Sequence, residues 1–377
     1  MEVWNSASPQ QEHENGLYPE TEQDQQWGLC SVDEIYQYAW FFFMQYGLIP
    51  WWMQQETPAT LEENIIGAVQ RHEALCRHKW AKAWAANRLN IQRWVQQCSS
   101  ATQQAVLRAV FGDAAGKAAI AAEGGLLQRF SEQAATAQNH LRCIYWDALF
   151  GALMAGGGPL RLKDRIREKW RNWMQADITI SSSKLLDGIS FPEVLQGFPA
   201  PVPRKIITPP ASSPNLDIDE PLQVKQAGLV LLQHQLPSLF GRLNWLEPAA
   251  ALQRDFHARA LHLLEFMAGG AEQTPEYNMA LHKLLCGLPL DAPVEKDVQL
   301  TAAEKQCALT SLDEAAALYG MHRDGLRSGW LQREGRLQYS HDAWRLQINR
   351  QTAGNPPGSD PVRLPWMRQL LTVQWTP

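Results

Sequence analysis

Between residues 178 and 222 the chain carries Pro192, Pro199, Pro201, Pro203, Pro209, Pro210, Pro214 and Pro221 among several serines. Proline has no backbone N–H and clashes with the preceding helical turn, so neither a helix nor a central strand runs through such a stretch. The composition predicts a semi-rigid, largely extended linker over 178–222. Folding must therefore happen on either side of it: a helical region over 29–177 and a C-terminal domain over 223–377. Residues 1–28 are polar, rich in Gln and Glu and without periodicity, and are expected to be a disordered tail.

Upstream of the linker the apolar residues recur at helical spacing. Ser31 with Glu34 three residues later makes a capping box. Val32, Ile35, Tyr36, Ala39, Trp40 and Phe43 then form one apolar face, with Gly47 as the stop and Pro50 beyond it. Thr60 and Glu63 suggest a second capping box, followed by one long helix or two with a break near Asn87. Further helices are expected at about 100–111, 126–154 and 160–176, with Gly156–Gly158 and Pro159 separating the last two. Downstream, Ala260, Leu261, Leu264, Met267 and Ala268 line a helix, and Thr301 with Glu304 caps another that runs towards Tyr319. The tail shifts to period two: Trp344, Leu346 and Ile348 alternate, as do Leu371, Val373 and Trp375. The fold class expected is mainly α, ending in a small antiparallel β-sheet.

Composition narrows function. With 34 Lys+Arg against 39 Asp+Glu, the net charge of −5 argues against coating nucleic acid or binding anionic membranes. The most apolar run, Tyr38–Trp52, is too short to span a bilayer, and the N-terminus has no basic-then-apolar leader pattern. The six cysteines are scattered with no C-x-x-C pair. That fits reduced thiols and a cytoplasmic protein. Sixteen tryptophans point to many buried contacts.

No reactive motif stands out. His257, His262 and Glu265 share a helix, but a zinc-protease helix needs histidines four apart with a Glu directly after the first. Here they are five apart, and solvated or partner-facing histidines are expected. His72, Cys76 and His78 form an incomplete ligand set; one buried Cys beside surface histidines is the simpler expectation. No G-x-S-x-G elbow, Walker loop or G-x-G-x-x-G occurs. Arg161, Lys163, Arg165, Arg167, Lys169 and Arg171 crowd one helix opposite Leu162, Ile166, Trp170 and Trp173. A solvated amphipathic helix is expected there; as a contact surface it suits an acidic protein better than nucleic acid. The expected list of catalytic, cofactor and metal residues is empty.

Two segments have structural grammar instead. In "LHKLLCGLPLDAPV" (Leu281–Val294) an apolar helix runs to Cys286, Gly287 stops it, and Pro289 and Pro293 hold the rest extended. "RDGLRSGWLQREGRL" (Arg323–Leu337) reads as a short helix closed by Gly335 before a strand, with Arg327, Arg333 and Glu334 placed for corner ion pairs. Together with "LVLLQHQLPSLFGRL" (Leu229–Leu243), "EYNMALHKLLCGLPLDAPV" (Glu276–Val294), "LTAAEK" (Leu300–Lys305) and "LPWMRQLLTVQW" (Leu364–Trp375), in this order and spacing, the chain resembles the tape measure proteins of contractile injection systems. These are phage-tail-like particles with a contractile sheath around a rigid tube. The resemblance covers about 226–375, and "YGLIPWW" (Tyr46–Trp52) is a weaker echo of the same family.

The resemblance implies a non-catalytic structural role. Such proteins occupy the tube lumen during assembly, self-associate there, and set how far tube and sheath polymerise; tube and baseplate or cap proteins are the implied partners. The implied location is the cytoplasm during assembly and the particle afterwards. Lys283, Cys286, Pro289, Asp291, Arg327, Arg333 and Trp366, inside the matching motifs, are the candidate interaction positions, or else the builders of the domain. Three departures stand out: His234-Gln235 where the family has His-Pro, "QTAGNPPGSDPV" (Gln351–Val362) where it has an apolar segment with its own Leu-Pro-Trp, and a chain short for the family. One helix from Ser31 to Pro221 would reach roughly 290 Å, but Pro50, Gly156–Pro159 and the linker interrupt it. Either the particle is short, or the chain is a baseplate- or cap-associated adaptor that measures nothing. An enzyme or toxin cargo is a third possibility, motivated only by the histidine helix and the Cys76 neighbourhood.

Overall fold

The computed structural model describes residues 31–376 apart from 55, 87–88, 132–134, 155–158, 174–220, 273, 341–342 and 350–360. The expected tail, the Gly156–Gly158 joint and nearly all of the Pro-rich stretch lie outside the described residues.

The first helix, α1 (Val32–Tyr46), starts as its capping box requires. Ser31 Oγ accepts from the Glu34 amide, and the Glu34 carboxylate takes the Ser31 amide at 2.7 Å. It stops at Gly47, whose φ of 71° is left-handed. The next helix, α2 (Pro58–Arg71), begins one turn before the expected Thr60–Glu63 box. Thr57 is its cap, accepting from the Thr60 amide, and Pro58 takes the first helical position. The proline decides: its missing N–H costs nothing there and its φ is already helical. The stretch from 58 to 96 holds α2, α3 (Glu73–Ala86) and α4 (Leu89–Gln96), with α2 separated from α3 at His72; the expected break near Asn87 lies outside the described residues. Then come α5 (Ser100–Phe111), α6 (Asp113–Gln128), α7 (Ala135–Met154) and α8 (Pro159–Trp173). The expected helix at 126–154 is therefore two. The missed part of α6 is Ala- and Gly-rich. Its stripe of Ala115, Ala119 and Ala122, continued by Leu126, is buried but too small to stand out in the sequence.

The core of this region is aromatic. Trp40 stacks on Trp80 with centroids 5.2 Å apart, Trp80 meets Trp94 at 5.0 Å, and Trp94 meets Trp146 at 5.6 Å. Four of the sixteen tryptophans thus form one continuous buried chain.

After the Pro-rich stretch, β1 (Leu222–Val224) is followed by a 3-10 segment (Ala227–Leu232), α9 (Leu236–Arg242), α10 (His257–Gly269), α11 (Ala280–Leu285), α12 (Ala302–Leu318) and α13 (Arg323–Leu326). A π-helical turn (Arg327–Leu331) leads to β2 (Gly335–Ser340), β3 (Ala343–Asn349) and β4 (Leu371–Thr376). Thr301 and Glu304 form the expected capping box. Gly335 opens β2 rather than closing a helix; Gln332 occupies that end.

The sheet has four strands in the order β1-β2-β3-β4, and it is mixed, not antiparallel as expected. β1 pairs antiparallel with β2 and β2 with β3, but β3 and β4 run parallel, with Leu346 opposite Val373. A hairpin can only reverse direction; a parallel partner needs a crossover of a dozen residues or more, and the segment between Asn349 and Leu371 is long enough to supply it. β1 escaped notice because three residues show no alternation. Residues 222–375 build one apolar cluster and helices α1–α8 another. The clusters meet through residues that cross over: Leu48 joins the C-terminal cluster, Phe42 and Tyr46 pack against it, and Tyr277 packs on the N-terminal one.

Candidate functional site

Five of the candidate positions gather around the turn that ends α11. Lys283 lies on that helix among buried leucines and is itself 0% exposed. The helix closes in a Schellman turn: the Gly287 amide donates to Leu284 O at 3.0 Å and the Leu288 amide to Lys283 O at 2.8 Å. Gly287 is required for its φ of 73° and for space, since a Cβ there would stand 2.4 Å from Trp366 O. The turn sends residues 288–294 back along the helix. Lys283 Nζ donates to Leu290 O and to Glu276 Oε1, both at 2.7 Å.

The N-terminal helices complete this charge set. Arg93 of α4 is 0% exposed, as is Glu276. Its Nε donates to Glu276 Oε1 at 3.0 Å, its Nη1 to Met44 O and Gln45 O at 2.9 and 3.0 Å, and its Nη2 to Asp291 O. Met44 and Gln45 belong to the last turn of α1, whose carbonyls have no intrahelical partner. Arg93 therefore caps α1 with a cation at its negative end while bonding the C-terminal body. Gln97 adds a second tie, donating to Val294 O at 2.6 Å and accepting from the Glu276 amide at 3.2 Å.

This junction explains the "YGLIPWW" segment. A Cβ on Gly47 would fall 2.1 Å from Glu276 Oε1 and 2.8 Å from Arg93 Nη2. Directly after it, Leu48 enters one core and Ile49 the other. Two buried cations thus share one carboxylate and four backbone carbonyls. Burial pushes the Lys283 ammonium below its usual range; Glu276 works against that push and Arg93 adds to it.

The other candidates are placed as follows. Cys286 is buried, and burial pushes its thiol up, which removes it as a nucleophile. Pro289 is exposed. Asp291 contributes its backbone carbonyl to Arg93. Trp366 Nε1 donates to Leu285 O at 2.7 Å and its ring lies 5.3 Å from Phe240, so the Leu-Pro-Trp-Met segment sits on the α11 turn. Arg327 and Arg333 lie elsewhere. Among the described residues, carbonyls and rings stand where ion pairs were expected at the corner. Arg327 donates to Phe266 O and Met267 O at the end of α10, and Arg333 donates to Gly329 O and stacks 4.1 Å over Trp330. A planar guanidinium satisfies carbonyl clusters and aromatic faces at once, which an ion pair with Glu334 would not.

His262 corrects another expectation: it is buried, not solvated or partner-facing. Its ring nitrogens lie 3.0 Å from Glu272 O and 2.7 Å from Glu295 O. His257 is on the same helix, and burial lowers its pKa. Cys76 is buried, its thiol pushed up to about 12 chiefly by burial, while exposed His72 meets Asp33 at 3.1 Å. The side chain of His78 lies outside the described residues. Among the described residues no three His, Cys, Asp or Glu side chains group closely enough to hold a metal ion. Of the basic helix, Arg167 pairs with Asp164 and Lys169 with Asp147; nothing is described of the Arg161, Trp170, Arg171 and Trp173 side chains. Among the described residues no helix is long and apolar enough to cross a membrane.

Sequence reasoning missed Arg93, Glu276 and Gln97. The available signal was an arginine at a core position of α4, between Ile91 and Trp94, and a carboxylate seven residues ahead of a lysine set among leucines.

The charges of this junction are consumed by partners in the same chain, so it is organised for packing. The sequence matches the family described as contractile injection system tape measure protein over residues 19–375, and the chain belongs to that family. The match extends well upstream of the motifs at 226–375, across the whole N-terminal helical region. No curated protein and no solved structure matches the chain. As a member of a structural family it is a component of an injection particle and makes contacts with other particle components.

Proposed function

We propose that the protein acts during particle assembly and helps set the length of tube and sheath, its packed helices working as a folded body rather than as a single rod. The family match over 19–375 carries the assembly role. The packing of the helices supports the manner. Among the described residues the longest helix, α7, has 20 residues and reaches about 30 Å, and α1–α8 fold back on one another instead of running on. Tube, baseplate or cap proteins are the partners this reading requires, with self-association in the lumen and assembly in the cytoplasm. Lys283, Cys286 and Arg333 then act by building the domain, and exposed Pro289 and partly exposed Trp366 are the positions left for contact.

A second reading, an end adaptor with no part in length, is favoured by the same fold-back. Electron microscopy of particles separates the two. Insertions and deletions within the Pro-rich stretch 178–220 should change particle length in proportion if the chain measures. Intact particles of unchanged length would leave the adaptor. Absence of recognisable particles in wild-type cells would sink both.

A further inference from the structure

The C-terminal sheet has a second face that the core does not use. Leu337, Leu346, Ile348, Leu371 and Val373 are buried on one side. Strand alternation turns Gln223, Arg336, Arg345 and Gln374 to the other, and all four are exposed. The register lays Gln223, Arg336, Gln347 and Gln374 side by side across the four strands, with Gln338, Arg345 and Thr372 in the adjacent row. Exposed Lys225 follows buried Val224 at one margin. At the other, exposed Arg363 follows Val362, whose bridge to Leu371 sets it beside β4. Glu334, just ahead of β2, is the carboxylate on this face among the described residues.

Several arginines elsewhere on the surface are paired. Arg71, Arg108, Arg242 and Arg323 each hold a carboxylate: Asp33, Glu73, Glu314 and Asp313. Among the described residues Arg336, Arg345 and Arg363 have no such partner. A chain of net charge −5 thus gathers unpaired cations and amides on one flat sheet face. Guanidinium groups favour bidentate carboxylates, and arginine is enriched at protein interfaces. Nucleic acid is the weaker match, because the chain's net charge opposes phosphate and the rows carry no aromatic platform.

We propose that this outer sheet face docks an acidic protein surface of the injection particle. The proposal rests on the reading that the chain works within the particle, not on whether it sets length. The test replaces both central arginines in the full chain, R336E with R345E, and counts copies of the chain per particle against tube protein by quantitative mass spectrometry. A control reverses exposed Lys117 and Arg254 outside the sheet. The sheet variant should fall by about tenfold or more while the control holds its level, since like charges across an interface repel strongly. A folded sheet variant retained at the wild-type level overturns the proposal. If R336E with R345E does not fold, R336Q with R345Q replaces it: a severalfold drop supports the proposal and no drop overturns it. Purified full chain is also tested on immobilised poly-L-glutamate and on duplex DNA. Reversal-sensitive retention on poly-L-glutamate supports the acidic protein surface, whereas reversal-sensitive retention on DNA alone overturns it in favour of nucleic acid. If wild-type cells yield no particles, the assembly reading fails and the poly-L-glutamate arm alone still judges the face.

Discussion

At the scale of residues, the most consequential positions are Arg93, Glu276 and Lys283. A buried ion set is weak evidence of net stabilisation, because desolvation offsets the attraction, yet removing one member strands the rest without water. Glu276→Gln should therefore cost about 3–5 kcal/mol in denaturant unfolding. A loss below about 1 kcal/mol would mean that the cations are not held as described. Gly47→Ala imposes a left-handed φ and puts a methyl against Glu276 and Arg93, and should destabilise by more than the about 1 kcal/mol of an ordinary glycine replacement. Protonation belongs to this scale too. Arg71, Arg323 and Arg242 hold Asp33, Asp313 and Glu314 below their ordinary values. For Glu304, burial pushes upward, but Arg259 and the Thr301 cap outweigh it and the carboxyl ends below 4.5. A carboxylate with a depressed folded pKa adds stability that is full above its unfolded value and lost as pH falls through the folded one. Stability should thus decline below about pH 4.5, and Glu304→Gln should make that decline shallower in acid titrations followed by circular dichroism.

At the scale of elements, local signals were legible at several helix ends, though the cap of α2 lay one turn before the expected one. The boxes at Ser31 and Thr301 and the stop at Gly47 were readable because a cap satisfies orphan amides within three or four residues. Thr301→Ala should lower the melting temperature in line with about 1 kcal/mol; an unchanged melt would show that α12 is held by packing alone. Where the signal was faint the structure had to supply the answer. Ala115, Ala119 and Ala122 are core residues of α6 without the size that marks a stripe. β1 exists because Gln223 and Val224 find Arg336 and Gly335 across the sheet, which no local pattern of three residues announces. The parallel pairing of β4 with β3 is likewise decided across the sheet and not by the alternation within β4.

At the scale of the whole molecule, the junction makes the two helical bodies interdependent. Fragments 31–177 and 221–377 produced together should co-elute through the contacts of Arg93, Gln97 and Leu48. Arg93→Leu should separate them on size exclusion, and co-elution that survives this change would move the tie elsewhere. The family was readable from ordered motifs in the C-terminal half, while its reach to residue 19 was not, because the upstream helices carry generic periodicity that many helical bundles share. The candidate positions were only partly legible. Their motif membership was visible, but whether Lys283 faced a partner or a core depends on Glu276 and on Arg93 of a distant helix, and a charged residue in an apolar run reads the same either way.

The sequence by itself determined the helical class, the capping boxes at Ser31 and Thr301 and the family, since each depends on short-range backbone chemistry or on motif order. The tertiary structure alone decided the direction of β4, the burial of His262, the use of Arg327 and Arg333 on carbonyls and rings, and the Arg93–Glu276–Lys283 junction. These depend on which groups meet across long separations, and only packing fixes where a buried charge or an open strand finds its partner.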